Sequence, residues 1–283
     1  VRHGVTLFTS DRGITPAAAA RAAEECGFDT FYVPEHTHIP VDRVSKYPGT
    51  DSTELPERYA RMLDPWVALS TAASVTSRIR LGTSVALPLE HDPIALAKAI
   101  ASLDLLSGGR VTLGVGYGWN AEELADHGVD PKKRRTALRE YLEAMQALWT
   151  QDEASYDGQF VKFSPCWAWP KPIQQPRPPV LIGAGASEST FTRIARSADG
   201  WITTPRDRDI EDSIVMLQRI WADAGRAGQP EIVVLASKRD ADKLARWEDL
   251  GVTEALFGVP EAEEEQVVVG YLKRLADRLG LGA

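Results

Sequence analysis

The chain has 283 residues, 43% of them hydrophobic, with 22 glycines and 18 prolines, so it can bury a large core in one domain of α/β-barrel size or in two smaller ones, and disorder is not the default. Against 40 acidic side chains stand 32 basic ones, and the net charge of -8, without long blocks of one sign, gives a surface that repels nucleic acid and anionic membranes. The two cysteines, Cys26 and Cys166, lack CxxC spacing or a secretory framework and read as small buried hydrophobes in a reducing cytosol.

Short β-branched runs alternate with stretches of helical periodicity along the whole chain. "GVTLF" (4–8) is followed by a helix over 15–27, "TFYVPE" (30–35) by one over 64–76, "IRLGTSV" (79–85) by one over 92–107, and "RVTLGVG" (110–116) by one over 131–149. The second half repeats the pattern, with strands at 179–184, 200–204, 232–237 and 255–259 and helices over 187–198, 208–225, 240–251 and 261–280. Eight nearly continuous apolar strands in strict alternation with eight helices predict a (β/α)8 TIM barrel, taken as a single domain over 1–283. Asp64 and Asp92, each followed by proline, are helix caps. Two segments interrupt the alternation: 36–63, a lid or substrate loop, and 151–178, a hairpin around Asp157-Gly158 followed by a proline-rich run. No apolar run reaches the length of a membrane span, and no charged region leads into an apolar one at the start, so a cytoplasmic protein is expected.

In such a barrel, chemistry belongs at the C-terminal ends of the strands. The second strand ends in "VPEHTHIP", which puts Glu35, His36 and His38 at the mouth. An imidazole there can exchange a proton near neutrality and an adjacent carboxylate can fix its tautomer; the alternatives are solvated loop histidines, or a zinc site, for which later strands supply no further ligands. The third strand ends in small residues, Gly82, Thr83 and Ser84 before Val85, which suit either a flat ligand or a bulge. The fourth runs into "GVGYGWN", with Gly114, Gly116 and Gly118, a dinucleotide-like spacing in the wrong context, or glycines that relieve packing at the rim. The fifth ends in "GAGASEST", where N–H groups of Ala184, Gly185, Ala186 and Ser187 could face a phosphate, or where Ser187 is simply a helix cap.

Residues "SRIRLGTSVALPLEHDPIALAKAIASLDLLSGGRVTLGVGYGWNAEEL", the following "HGVDPKKRRTALREYLEAMQALW", and "FSPCWAWPKPIQQPRPPVLIGAGASESTFTRIARSADGWI" resemble the luciferase-like oxidoreductases, in particular the branch that uses the deazaflavin F420. The resemblance spans roughly 3–204. It implies a flavin-like ring lying against a strand-3 bulge with a non-prolyl cis peptide, placed by position at Ser84-Val85 next to Thr83. It implies a strand-4 loop close to the cofactor through Gly116, Tyr117, Gly118, Trp119 and Asn120, and phosphate binding by Gly183, Ala184, Gly185, Ala186 and Ser187. His36, after the acid Glu35, matches a functional histidine of some family dehydrogenases. Trp119 stands where several of them have a glutamate proton partner, and is expected instead to wall an apolar pocket. The resemblance therefore implies an F420-dependent oxidoreductase moving a hydride to or from a small organic substrate, with no metal and as a homodimer; the alternatives are an FMN-using monooxygenase on the same fold and a non-catalytic deazaflavin binder.

Overall fold

The computed structural model describes residues 1–204, 210–236, 241–262 and 264–281. In chain order its strands are β1 (Arg2–Thr6), β2 (Thr30–Val33), β3 (Arg80–Ala86), β4 (Val111–Gly116), β5 (Ala154–Asp157), β6 (Lys162–Cys166), β7 (Val180–Gly183), β8 (Gly200–Thr203), β9 (Glu231–Ala236) and β10 (Glu254–Gly258). All except the antiparallel β5–β6 pair close into one parallel barrel, in which β10 pairs with β1. Around it lie α1 (Pro16–Glu25), α2 (Pro65–Ala73), α3 (Pro93–Ser107), α4 (Ala121–Asp126), α5 (Arg134–Thr150), α6 (Glu188–Ser197), α7 (Ile210–Asp223), α8 (Ala241–Asp249) and α9 (Glu265–Leu279).

The helix starts follow from local chemistry. Thr15, Asp64 and Asp92 accept hydrogen bonds from Ala18 N, Val67 N and Ala95 N, and each is followed by a proline whose missing N–H would have had no helical acceptor. The barrel interior is filled by Tyr32, Leu181, Ile202, Val233 and Leu256, capped by Val85 and Leu235. Tyr32 fits because Gly82 faces it: a Cβ there would stand 2.4 Å from the ring. At the opposite end from the mouth, Arg2 bridges Glu231 and the fully buried Glu254, whose carboxyl also accepts from Thr30. Burial pushes Glu254 up, and Thr30 and Arg2 offset only part of that.

The structure departs from the sequence expectations in three places. Helix α4, six residues long, is too short to show a period. The hairpin turns through Gly158 to Val161, closed by Gly158 N to Val161 O at 2.9 Å, so its second arm is Lys162–Cys166 rather than 159–163. That register is set by α5, because buried Glu140 accepts from Phe160 N at 2.7 Å and leaves no room for a side chain at 158. Neither cysteine is buried: Cys26 sits at the C-terminal end of α1 and Cys166 on the hairpin, both partly exposed as free thiols. The ends of the predicted elements at Ser237, Arg208 and Asp240 lie outside the described residues. No described helix is long and apolar enough to cross a membrane.

Candidate active site

At the mouth, β3 leaves regular pairing with β4 between Thr83 and Ala86, and the Ser84-Val85 peptide is cis. Thr83 is fully buried and donates its hydroxyl to Gly114 O at 2.7 Å, while the Ser84 hydroxyl lies 2.7 Å from that of Thr6 at the end of β1. The bulge thus turns the Val85 side chain toward β4 and β7. A Cβ on Gly116 would stand 2.7 Å from one Val85 methyl, a Cβ on Gly183 2.7 Å from the other, and a Cβ on Gly114 2.1 Å from Thr83 O. The packing of the bulge by itself therefore requires these three glycines, a reason for bare backbone beside the ligand approach expected at Gly116 and Gly183. Gly118 differs: its φ of 73° is a turn conformation, tight against Leu124.

Above the bulge is a cavity of about 340 Å³ in which Ser84, Val85, Gly183, Ala184 and Gly185 meet Ile202 of β8 and Pro48 of the 36–63 segment. Of the other residues in the strand-7 loop, Ser187 caps α6 by accepting from Thr190 N at 3.1 Å, and Ala186 precedes it. Tyr117 lies elsewhere, in a second cavity between α5 and α6. Asn120, 1% exposed, has both polar atoms of its amide buried without a partner among the described residues.

His36 lies three residues beyond Val33, which is in register with Thr83, so it reaches the same rim as the bulge. The expected Glu35–His36 pair is absent. Glu35 turns to the other side, where it accepts from Leu87 N at 2.5 Å and pairs with His91 Nε2 at 2.6 Å. Burial would lower His91, but the bond and charge of Glu35 raise it instead. The carboxylate on His36 is Glu123 of α4, 2.6 Å from Nδ1. Trp119 Nε1 is 3.1 Å from His36 Nε2, and an indole N–H only donates, so Nε2 accepts and the proton of the neutral ring sits on Nδ1, directed at Glu123. Trp119 is therefore a polar partner of His36, with its ring edge-on at 5.4 Å, and not merely the wall of an apolar pocket.

Glu123 is fully buried and also accepts from Thr37 N at 3.0 Å. Burial acts to raise it, yet the hydrogen bond of His36 and, when that ring is protonated, its charge, with the bonds from Glu90 and His38, bring it below the usual carboxylate range. Glu90, 5% exposed, has no partner of regular hydrogen-bond geometry at either oxygen. Burial, then the charge and proximity of Glu123, then the charge of Glu35, push its carboxyl up to about 9, so at neutral pH Glu90 holds the proton and Glu123 the charge. Glu90 and Glu123 were not legible as site residues. For Glu123 the signal was its place four residues after Trp119, one turn into the acidic start of α4.

The 36–63 segment covers this network. The Tyr59 ring lies 5.5 Å from that of His36, tilted by 57°, and burial and Tyr47 raise its hydroxyl. Ser45 Oγ accepts from Ala121 N at 3.0 Å, supplying the cap that Asn120 does not, and Glu122 accepts from Val44 N at 2.8 Å. Among the described residues, no three His, Cys, Asp or Glu side chains are grouped to hold a metal ion.

The sequence profile of luciferase-like monooxygenases matches residues 15–278. The chain belongs to the luciferase-like monooxygenase family. It is 64% identical over 280 residues, 99% of each chain, to an uncharacterised Mycobacterium tuberculosis protein, and 28% identical over 276 residues to the F420-dependent glucose-6-phosphate dehydrogenase of Amycolatopsis mediterranei, covering 91% of this chain and 74% of the other. In fold it is similar to the monooxygenase RslO1 of Streptomyces bottropensis, with a TM-score of 0.78 at 20% identity over 99% and 98% of the two chains. An F420-dependent secondary alcohol dehydrogenase bound to an F420-acetone adduct gives 0.73 at 16% identity over 97% and 98%. The barrel mouth is thus that of a member of the luciferase-like oxidoreductases.

Proposed function

We propose that the chain is an F420-dependent oxidoreductase that moves a hydride between the deazaflavin and a small organic substrate. The observation that supports this best is His36, held between an anionic carboxylate and an indole N–H at the same end of the barrel as the cavity walled by the Val85 bulge. The residues fit such a cofactor: Val85 and Ile202 offer an apolar wall, Asn120 has a buried amide without a partner, and the turn before Ser187 presents N–H groups that a helix cannot use. The deazaflavin, when bound, supplies the ring carbon that accepts or gives the hydride.

His36 takes or gives the accompanying proton. With its Nδ1 proton on Glu123, Nε2 is the basic atom, and it becomes free for a substrate hydroxyl or carbonyl once the Trp119 indole swings away. Glu123 then stabilises the imidazolium, as a buried carboxylate does in other paired sites. Thr83 and Ser84 fix the bulge, and Glu35 holds the turn that carries Glu90 through Leu87 and His91. Gly116 and Gly183 act by admitting Val85, Gly118 by turning the chain toward Trp119.

The test is a titration with F420 and with FMN, oxidised and reduced, followed by tryptophan fluorescence, and then turnover with His36→Ala. F420 binding retained by the variant with turnover reduced about 100-fold or more supports the reading; unchanged turnover removes His36 from it. The second reading, an FMN-using monooxygenase, is supported by the likeness in fold to RslO1. Preference for FMN together with oxygen consumption would move the assignment there.

A further inference from the structure

The second cavity, about 260 Å³ between α5 and α6, is lined by Arg135 and Arg139 from one helix, Arg193 and Arg196 from the other, and Tyr117. Among the described residues, no carboxylate lines it. Arg139 pairs with Glu143 at 3.4 Å, but the guanidinium groups of Arg135, Arg193 and Arg196 make no ion pair or hydrogen bond among the described residues. In a chain of net charge -8, three such cations lining one cavity form a local basic patch whose chemistry suits an anion of more than one charge. Tyr117 lines the cavity with them: burial raises its hydroxyl, while the charges of Arg193 and Arg135 both act on it in the opposite direction.

The position is as informative as the charge. Tyr117 continues β4 from Gly116, which is in register with Gly183 of β7, and Ile182 of β7 lines the arginine cavity while Gly183 lines the mouth cavity. The two cavities therefore lie on either side of one strand pair, with the 183–185 turn between them. A ligand seated against Val85 and leaving over that turn has the arginines ahead of it.

We infer that the arginine cavity binds the oligocarboxylate tail of the deazaflavin cofactor and selects it over FMN, whose chain ends at a single phosphate. This rests on the cofactor reading above. Guanidinium groups suit the role because each can hold a carboxylate with two parallel hydrogen bonds and remains charged at any working pH.

The test compares affinities by fluorescence titration for F420, for the same deazaflavin cut back to its ribityl phosphate, and for FMN, in the wild type and in Arg135→Gln/Arg193→Gln/Arg196→Gln. The wild type is expected to bind F420 roughly tenfold or more tighter than the cut-back form, with a steep loss at high salt. The triple variant should bind both alike, at the wild-type affinity for the cut-back form, which also reports that it is folded. The corresponding lysine variant should recover part of the preference, because it keeps the charge and loses the fork. Equal affinity for the two deazaflavins in the wild type, or an unchanged preference in the glutamine variant, would overturn the inference and leave the cofactor reading standing. Should the wild type bind none of the three, the cofactor reading fails. Tetra-γ-glutamate then decides alone: a rise in melting temperature in the wild type that is lost in the variant sustains an oligocarboxylate site, and any other result rejects it.

Discussion

The packing of Val85 between two glycines makes a prediction with a built-in control. In Gly116→Ala the new methyl would stand 2.7 Å from Val85 Cγ2, closer than carbon atoms approach, so the Val85 side chain or the bulge that carries it has to shift. Overpacking of this kind costs about 1–3 kcal/mol. Val85→Ala alone removes two methyls from a half-buried position, a loss of about 1–2 kcal/mol. In the double variant the nearest remaining neighbours of the position-116 methyl are Leu87 Cδ2 at 3.6 Å and Val85 Cβ at 3.8 Å, both ordinary contacts. The double variant should therefore be no less stable than Val85→Ala, a coupling of about 1–3 kcal/mol between the two sites. Denaturant unfolding of the wild type, both single variants and the double variant measures it, and F420 titration of the same four proteins reads whether the cavity wall has moved. Additive losses, or a Gly116→Ala protein as stable as wild type, would refute the claim that these glycines serve the bulge.

Other outcomes follow from the buried network. Glu90, with its folded carboxyl raised to about 9, keeps a proton that the unfolded chain releases near 4.5, so it lowers stability progressively as pH rises between those values. Glu90→Gln should therefore melt higher than wild type at pH 8.5 and gain little at pH 4, and a gap independent of pH would contradict the assignment of the proton. Arg110 donates to the carbonyls of Ser107, Ile79, Ala73 and Thr76 and to the Thr76 hydroxyl, so Arg110→Ala should cost about 3 kcal/mol in unfolding experiments by leaving carbonyls without a donor. Ser45→Ala removes the acceptor from the first N–H of α4; hydrogen exchange across 121–126 should accelerate, by an amount matching the loss of about 1 kcal/mol, with turnover falling because α4 holds Glu123.

The barrel was legible in the sequence because its signals are local and repeated. Each strand is a short apolar run, each helix has a period, and Asp64 and Asp92 mark starts that the structure reproduces. The motif resemblance likewise placed the bulge at Ser84-Val85, where the cis peptide lies. What was not legible is pairing across distance. Glu35 and His36 are neighbours in the chain and face opposite ways at the end of β2, so the carboxylate for His36 comes from Glu123, 87 positions away on a helix too short to predict. Glu90 belongs to the site only because the Leu87–His91 turn, held by Glu35, brings it against Glu123.

The glycines divide the two kinds of information most clearly. Composition and spacing alone put bare backbone at the ends of β4 and β7 and left open whether it served a ligand, a turn or packing. Gly118 is decided locally, by a φ of 73° that disfavours a side chain. For Gly114, Gly116 and Gly183 the reason is tertiary, because the atoms that exclude a Cβ belong to Thr83 and Val85 on another strand. Alternation and capping are written within a few residues of each other and survive in one dimension. Side-chain volume shared between strands, and a proton shared between two buried carboxyls, exist only after the barrel has closed.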